Sequence, residues 1–216
     1  MRLGSTHIVL DTCVLMPPRL SDVLMDLRLE GLFTLHWTQD IDAEYLKNME
    51  GALGFSRRAA KTRLRAMKKR CPAWEIHSPL LSLPHVPPGV HANDRPVAAA
   101  SLRMRKYVDE DQDSQDGEVF LVTDNTRHFA VSDMARLGVT VINAGSFLDY
   151  AYQRHPEALE RAVLRSVSDL AAPPYTRAQM LKALRTHGAV AVADGIAAAW
   201  GLAPKKTAAV RRKSVR

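Results

Sequence analysis

Asp11 is the first residue of this chain whose type and position suggest chemistry. It follows the apolar run His7-Ile8-Val9-Leu10 and opens the stretch Asp11-Thr12-Cys13-Val14-Leu15. A short apolar run of this kind reads as a buried parallel strand. An acid at its carboxyl end would stand on the sheet edge where open α/β proteins bind ligands. A carboxylate in such a place is costly to desolvate unless it is paired or holds a metal. Three further sites could join it: Glu44 within Ile41-Asp42-Ala43-Glu44-Tyr45-Leu46, Asp94 at a helix start, and Asp124 beside Asn125 after the run Val119-Phe120-Leu121-Val122. Carboxylates converging on one edge repel unless a cation neutralises them. Oxygen ligands without a Cys or His framework select Mg²⁺ or Mn²⁺, and phosphodiester hydrolysis is the usual employment of such a centre. Each acid also has a plainer reading. Asp11 could be a turn or cap residue, Asp94 an N-cap, Glu44 a surface acid, and Asp124-Asn125 a turn. The ordered set is less expected by chance than any one member.

The elements that must position these residues alternate between strand and helix. After the first strand, Pro17-Pro18 breaks the chain, and Ser21 can cap a helix carrying Val23, Leu24, Leu27 and Leu32. Phe33 to Trp37 alternates like a short strand, and a helix is expected from about Ile41 to Met49. A basic helix follows from about Ser56 to Arg70, then a short strand at Trp74 to His77. The Pro-rich stretch from Pro79 to Val90 reads as loop. Asp94 begins a helix that tolerates Pro96 in its first turn and runs to about Tyr107. An acidic loop, 109–118, separates it from the strand Val119 to Val122, and a helix over 126–137 leads to the strand Val139 to Ile142. This alternation predicts a parallel sheet with helices on both faces.

Past about Ser146 the strand pattern stops. Helices are expected at 157–170, from Thr176, where Thr176-Arg177-Ala178-Gln179 fits a capping box, and at Ala189 to Trp200. The chain therefore divides into an α/β unit over 1–145, a helical extension over 146–203 and a basic tail over 204–216 that should lack a core of its own.

The 216 residues carry a net charge of +7, which points toward a polyanion such as nucleic acid. Arg57, Lys61, Arg65 and Lys69 recur every four residues on the basic helix, with Arg58, Lys68 and Arg70 widening the stripe. Such a stripe could track phosphates; a solvated helix face is the equal alternative. His91, near Asp94, and His128, near Asn125, read as structural or surface residues. The two cysteines have neither a disulfide framework nor metal-ligand spacing. No run approaches the ~18–20 apolar residues of a membrane span, and Met1 to His7 lacks the apolar stretch of a signal peptide. A cytoplasmic location without membrane attachment is expected.

The ordered set resembles the PIN-domain ribonucleases, especially the larger members associated with VapBC-type toxin–antitoxin pairs. Leu10-Asp11-Thr12 is similar to the opening motif, Glu44 to the second acid, and Asp94 with Val97 and Ala98-Ala99-Ala100 to the third. Leu121-Val122-Thr123-Asp124-Asn125, with His128-Phe129, is similar to the last motif, and the likeness spans roughly residues 7–145. It implies a PIN-like α/β parallel sheet flanked by helices, with a small all-helical C-terminal extension. It implies Asp11, Glu44 and Asp94 as metal-site carboxylates, Thr12 and Thr123 as hydrogen-bonding supports, and Asn125 at a last polar position where many relatives carry Asp. Asp124 could contribute to the metal site instead. Cys13 is a second departure, since relatives often carry Asn there. The implied activity is Mg²⁺- or Mn²⁺-dependent endonucleolytic cleavage of RNA, with an antitoxin protein as partner and often a homodimer. An RNA-processing nuclease without an antitoxin and a catalytically weak RNA-binding scaffold are the nearest alternatives. A haloacid-dehalogenase phosphatase would need a second acid where Cys13 stands, and a dinucleotide-binding module would need a glycine-rich turn where Met16-Pro17-Pro18 stands.

Overall fold

A computed structural model of the chain describes residues 6–111, 117–169 and 174–202. The basic tail over 204–216 and residues 112–116 of the acidic loop lie outside the described residues. Four parallel strands form one sheet: β1 (Thr6–Leu10), β2 (Phe33–His36), β3 (Glu118–Val122) and β4 (Val139–Ile142), in the order β2-β1-β3-β4. Ile8, Val9, Leu10, Leu121 and Val122 are fully buried, as expected of central strands covered on both faces. The register pairs Leu10 with Val122, so β1 and β3 end side by side.

Helices fill the connections. After β1 come α1 (Thr12–Leu15) and α2 (Pro18–Leu29); after β2 come α3 (Gln39–Gly51) and α4 (Arg57–Arg70). α5 (Arg95–Glu110) precedes β3, and α6 (Val131–Arg136) precedes β4. The chain then continues as α7 (Ala144–Arg154), α8 (Pro156–Ser168), α9 (Arg177–Thr186) and α10 (Val190–Ala199). One continuous apolar cluster takes in the strands and the buried faces of α7 to α10. Phe147 on α7 meets Phe33 and Phe120 of the sheet edge-on, at ring centroid distances of 5.5 and 5.6 Å. Among the described residues, no helix is long and apolar enough to cross a membrane.

Several local expectations are corrected. The Pro-rich stretch is not all loop: Pro79–His85 forms a 3₁₀ helix. Proline already holds φ in the helical range. Arg95 also satisfies carbonyls at the far end of that turn, donating to Val86 and Pro87 at 3.2 and 3.1 Å. Trp74 to His77 makes only an isolated bridge between Glu75 and Trp37, rather than a strand. Ser21 does not cap α2, which starts at Pro18; its hydroxyl donates back to the Pro17 carbonyl instead. The stretch 126–137 splits into a 3₁₀ turn, Thr126–His128, and α6.

Helix α7 was not expected. Its Gly145 resembles a loop signal, but a Cβ there would lie 2.2 Å from the His187 carbonyl oxygen. Glycine is required because the α9–α10 corner presses directly on the helix backbone.

Candidate active site at the carboxyl edge of the sheet

The chain leaves β1 toward β2 on one side and returns to β3 on the other. The crevice beyond β1 and β3 is therefore the topological switch point, where open α/β sheets bind their ligands. Asp11 and Thr123 are the first residues past these two strands. The Asp11 amide still donates to Val122 at 3.1 Å, and the Thr123 amide to Ile142 at 3.0 Å. Backbone ladder bonds thus fix both side chains at the edge.

Asp11 is the N-cap of α1 and only 6% exposed. Its Oδ1 accepts from the Thr12 amide at 2.6 Å. Its Oδ2 accepts from the Thr123 hydroxyl at 2.6 Å and from the Cys13 thiol at 3.3 Å. All three donors are neutral, and no Lys, Arg or His is bonded to this carboxylate among the described residues. Burial pushes the Asp11 carboxyl above its ordinary value. The bonds from Thr123, Cys13 and Thr12 pull it back, while the Glu44 charge adds to the rise. A carboxylate has about four acceptor sites, so three donors leave it roughly one for a further partner.

Glu44 reaches the same place from α3. That helix is capped by Thr38, whose side chain accepts from the Ile41 amide. The Thr12 hydroxyl donates to Glu44 Oε2 at 2.8 Å. Thr12 is consequently the bridge between two acids 33 residues apart in the chain, giving its amide to one and its hydroxyl to the other.

Cys13 also belongs to this network. It donates to Asp11 and accepts from the Asp124 amide at 3.3 Å. Burial, reinforced by the Asp11 charge, pushes its thiol up to about 12. It therefore remains protonated at neutral pH and serves as a donor rather than a nucleophile. Sequence reading missed this role, because a lone cysteine carries no spacing signal.

Thr123 is fully buried; while donating to Asp11 it accepts from the Asn125 amide at 3.1 Å. Asp124 is exposed, with Oδ1 3.4 Å from the Ala144 amide at the start of α7. Asn125 is exposed and precedes the turn Thr126–His128.

Asp94 does not share the Asp11 hydrogen-bond network. No trio of Asp, Glu, His or Cys ligand atoms within 4.8 Å of one another unites it with Asp11 and Glu44 among the described residues. Nor does its side chain cap α5. Its Oδ2 instead lies 3.1 Å from His128 Nδ1 and 3.3 Å from His91 Nδ1. The spacing His91-x-x-Asp94 was the available sequence signal.

Asp11 and Glu44 are thus two oxygen donors joined through Thr12, the ligand type that a hard cation such as Mg²⁺ or Mn²⁺ takes. Asp94, in the arrangement seen, serves two imidazoles.

On α4, Arg57, Lys61, Arg65 and Lys69 are all exposed, as the stripe required. Lys68 and Arg70 do not widen it. Lys68 pairs with Asp42 and lies over the Trp74 ring, and Arg70 pairs with Asp26 at 3.1 Å and Asp169 at 2.8 Å. These two cations fasten α4 to its neighbours.

Comparison with known protein families, curated proteins and solved structures yields no match for this chain.

The pH dependence of stability tests the environment of Asp11. Its folded carboxyl binds a proton more readily than its unfolded one. Between the ordinary carboxylate value of about 4 and the raised folded value, the native state holds a proton that the unfolded state has lost. The Asp11 contribution to stability is therefore present below that window and falls as pH rises through it. In metal-free buffer, the unfolding free energy of the wild type minus that of Asp11→Asn should decline upward from about pH 4 and then level. Urea denaturation over a pH series measures this difference, and a rise across the same interval contradicts the assignment.

Proposed function

We propose that the protein is a metal-dependent endoribonuclease, the toxin component of a type II toxin–antitoxin pair, hydrolysing RNA phosphodiester bonds. The observation that carries this reading is the buried Asp11 carboxylate at the switch point. It stands beside Glu44 and is bonded only to neutral donors among the described residues. Two acids in that position favour a divalent cation as their common partner. A bound Mg²⁺ or Mn²⁺ would hold a phosphate oxygen, lower the pKa of a water and stabilise the leaving oxygen.

The chain's own residues would orient and attract. Thr123, Cys13 and the Thr12 amide hold the Asp11 carboxylate in one orientation, and the Thr12 hydroxyl does the same for Glu44. Asp124 and Asn125 stand exposed at the rim, beside the end of β3. The exposed cations of α4 would attract the phosphate backbone without reading sequence.

RNA as the polymer, an antitoxin as inhibitor, homodimerisation and a cytoplasmic location rest on the resemblance to PIN-domain ribonucleases. Asp94, third acid of that resemblance, enters the proposal only if it leaves its histidines. Its present engagement favours a second reading, a catalytically weak RNA-binding scaffold.

Two experiments test the proposal. Purified protein with Mn²⁺ should cleave RNA to fragments bearing 5′-phosphates, and Asp11→Asn should lower the rate by roughly 100-fold or more, the scale seen when a preorganised electrostatic group is removed. Equal cleavage by both proteins, or by both with chelator, contradicts it. Replacing Lys61 and Arg65 by Ala should flatten the plot of log affinity against log salt by about 1.4 for single-stranded RNA, two phosphate contacts having been lost. An unchanged slope places the RNA elsewhere.

A further inference from the structure

His91, Asp94 and His128 bring two imidazoles and one carboxylate to a single point, and nothing in the proposed nuclease chemistry uses the imidazoles. Their ligand atoms all lie within 4.8 Å of one another. Both Nδ1 atoms face the same oxygen, Asp94 Oδ2, at 3.1 and 3.3 Å. A tetrahedral Zn²⁺ with nitrogen and oxygen ligands at about 2.0–2.1 Å has ligand-to-ligand edges of about 3.3–3.4 Å. The two measured edges are therefore close to those of a coordination polyhedron.

The backbone holds this arrangement independently of the side chains. The His91 amide donates to the His128 carbonyl at 2.8 Å, tying the two loops together. The Asp94 amide donates to the His91 carbonyl at 2.9 Å, closing the 3₁₀ turn Ala92–Asp94. In a 3₁₀ turn residues i and i+3 eclipse, which places His91 and Asp94 on one side. The His128 amide donates to the Asn125 carbonyl at 2.8 Å, fixing the third ligand from the loop after β3. The two rings lie 5.0 Å apart, tilted by 32°.

We propose that His91, Asp94 and His128 form a binding site for one borderline divalent cation of the Zn²⁺ class. Imidazole ligands favour Zn²⁺, Ni²⁺ or Cu²⁺ over Mg²⁺ and Ca²⁺. The site is chemically distinct from the oxygen-only pair Asp11 and Glu44, and it does not rest on the nuclease reading. Three protein ligands leave a coordination position for water or a ligand. That position lies near solvent, because the His91 side chain is 54% exposed and that of His128 33%. The competing arrangement is a carboxylate accepting from two Nδ1–H groups, with no metal affinity beyond that of scattered surface histidines. The other close histidine pair, His7 and His36, has Nδ1 and Nε2 3.0 Å apart, and its His36 side chain is committed to the Ala73 carbonyl.

The test is Zn²⁺ titration of the full chain after stripping with chelator, read by competition against a chromophoric chelator. One tight equivalent is expected, undisturbed by millimolar Mg²⁺. His91→Ala and His128→Ala should each weaken it by more than about 10-fold, the lower end of the loss seen for partners outside the coordination sphere. Asp94→Asn should weaken it likewise while keeping the shape of the side chain, and Asp11→Asn should leave it unchanged. Co²⁺ in place of Zn²⁺ should give visible ligand-field bands that both histidine variants lose, with circular dichroism verifying that they fold. Absence of a tight equivalent, equal affinity in the histidine variants, displacement by Mg²⁺ or loss of binding in Asp11→Asn would each overturn the assignment.

Discussion

A carboxylate sealed from water among neutral donors is the constraint around which the edge of this sheet is organised. Removing an ionised carboxylate from water costs several kcal/mol unless charge or hydrogen bonds compensate. Asp11 receives three hydrogen bonds and no positive partner among the described residues, while the nearby Glu44 charge works against it. The compensation is partial, which is why the carboxyl holds its proton more tightly than usual. A divalent cation would supply what the neutral donors lack. The same argument explains why Thr12, Thr123 and Cys13 point inward: each donates to an acid, and each is oriented by the backbone at a strand end or in α1.

Strand order turns this local arrangement into a site. With β1 and β3 adjacent and their outward neighbours β2 and β4 on opposite sides, the crossovers part and leave a crevice between the two strand ends. Glu44 enters it from α3 because β2 lies next to β1, so the helix that follows β2 starts at the same edge. The helices after β4 are not separate from this scaffold. Phe147 links them to the sheet, and Gly145 lets the α9–α10 corner approach α7 at backbone distance. Asp94 and the histidines occupy loops whose backbones bond to each other. The network of Asp11 and Glu44 and the network of Asp94 with its two imidazoles therefore stand apart, with no shared side chain among the described residues.

Strands β1, β3 and β4 were legible as compact apolar runs and β2 by its alternation, and the basic stripe because four-residue spacing puts its cations on one helix face. Asp11 and Glu44 were legible as acids, and their meeting followed from the predicted sheet edge. Cys13 was not legible as a donor, since nothing in its spacing marks a thiol that will face a carboxylate 3.3 Å away. Asp94 illustrates the opposite limit. Its position at a helix start was visible, but whether it would face other acids or the flanking imidazoles depends on how the loop after β3 folds back, a long-range hydrogen bond between His91 and His128 that local pattern cannot encode. Helix α7 was hidden for a similar reason: its glycine answers to a distant corner of the chain, not to its own helix.

On the proposed reading, a divalent cation belongs beside Asp11. Manganese added in substoichiometric amounts to ¹⁵N-labelled protein tests it most directly, because the paramagnetic ion broadens only the amide signals close to it. The amides of Thr12 and Thr123 should vanish first in the wild type and persist in Asp11→Asn. If they stay sharp while manganese binds elsewhere, or fade equally in both proteins, the ion does not sit at the switch point and the account of this edge is wrong.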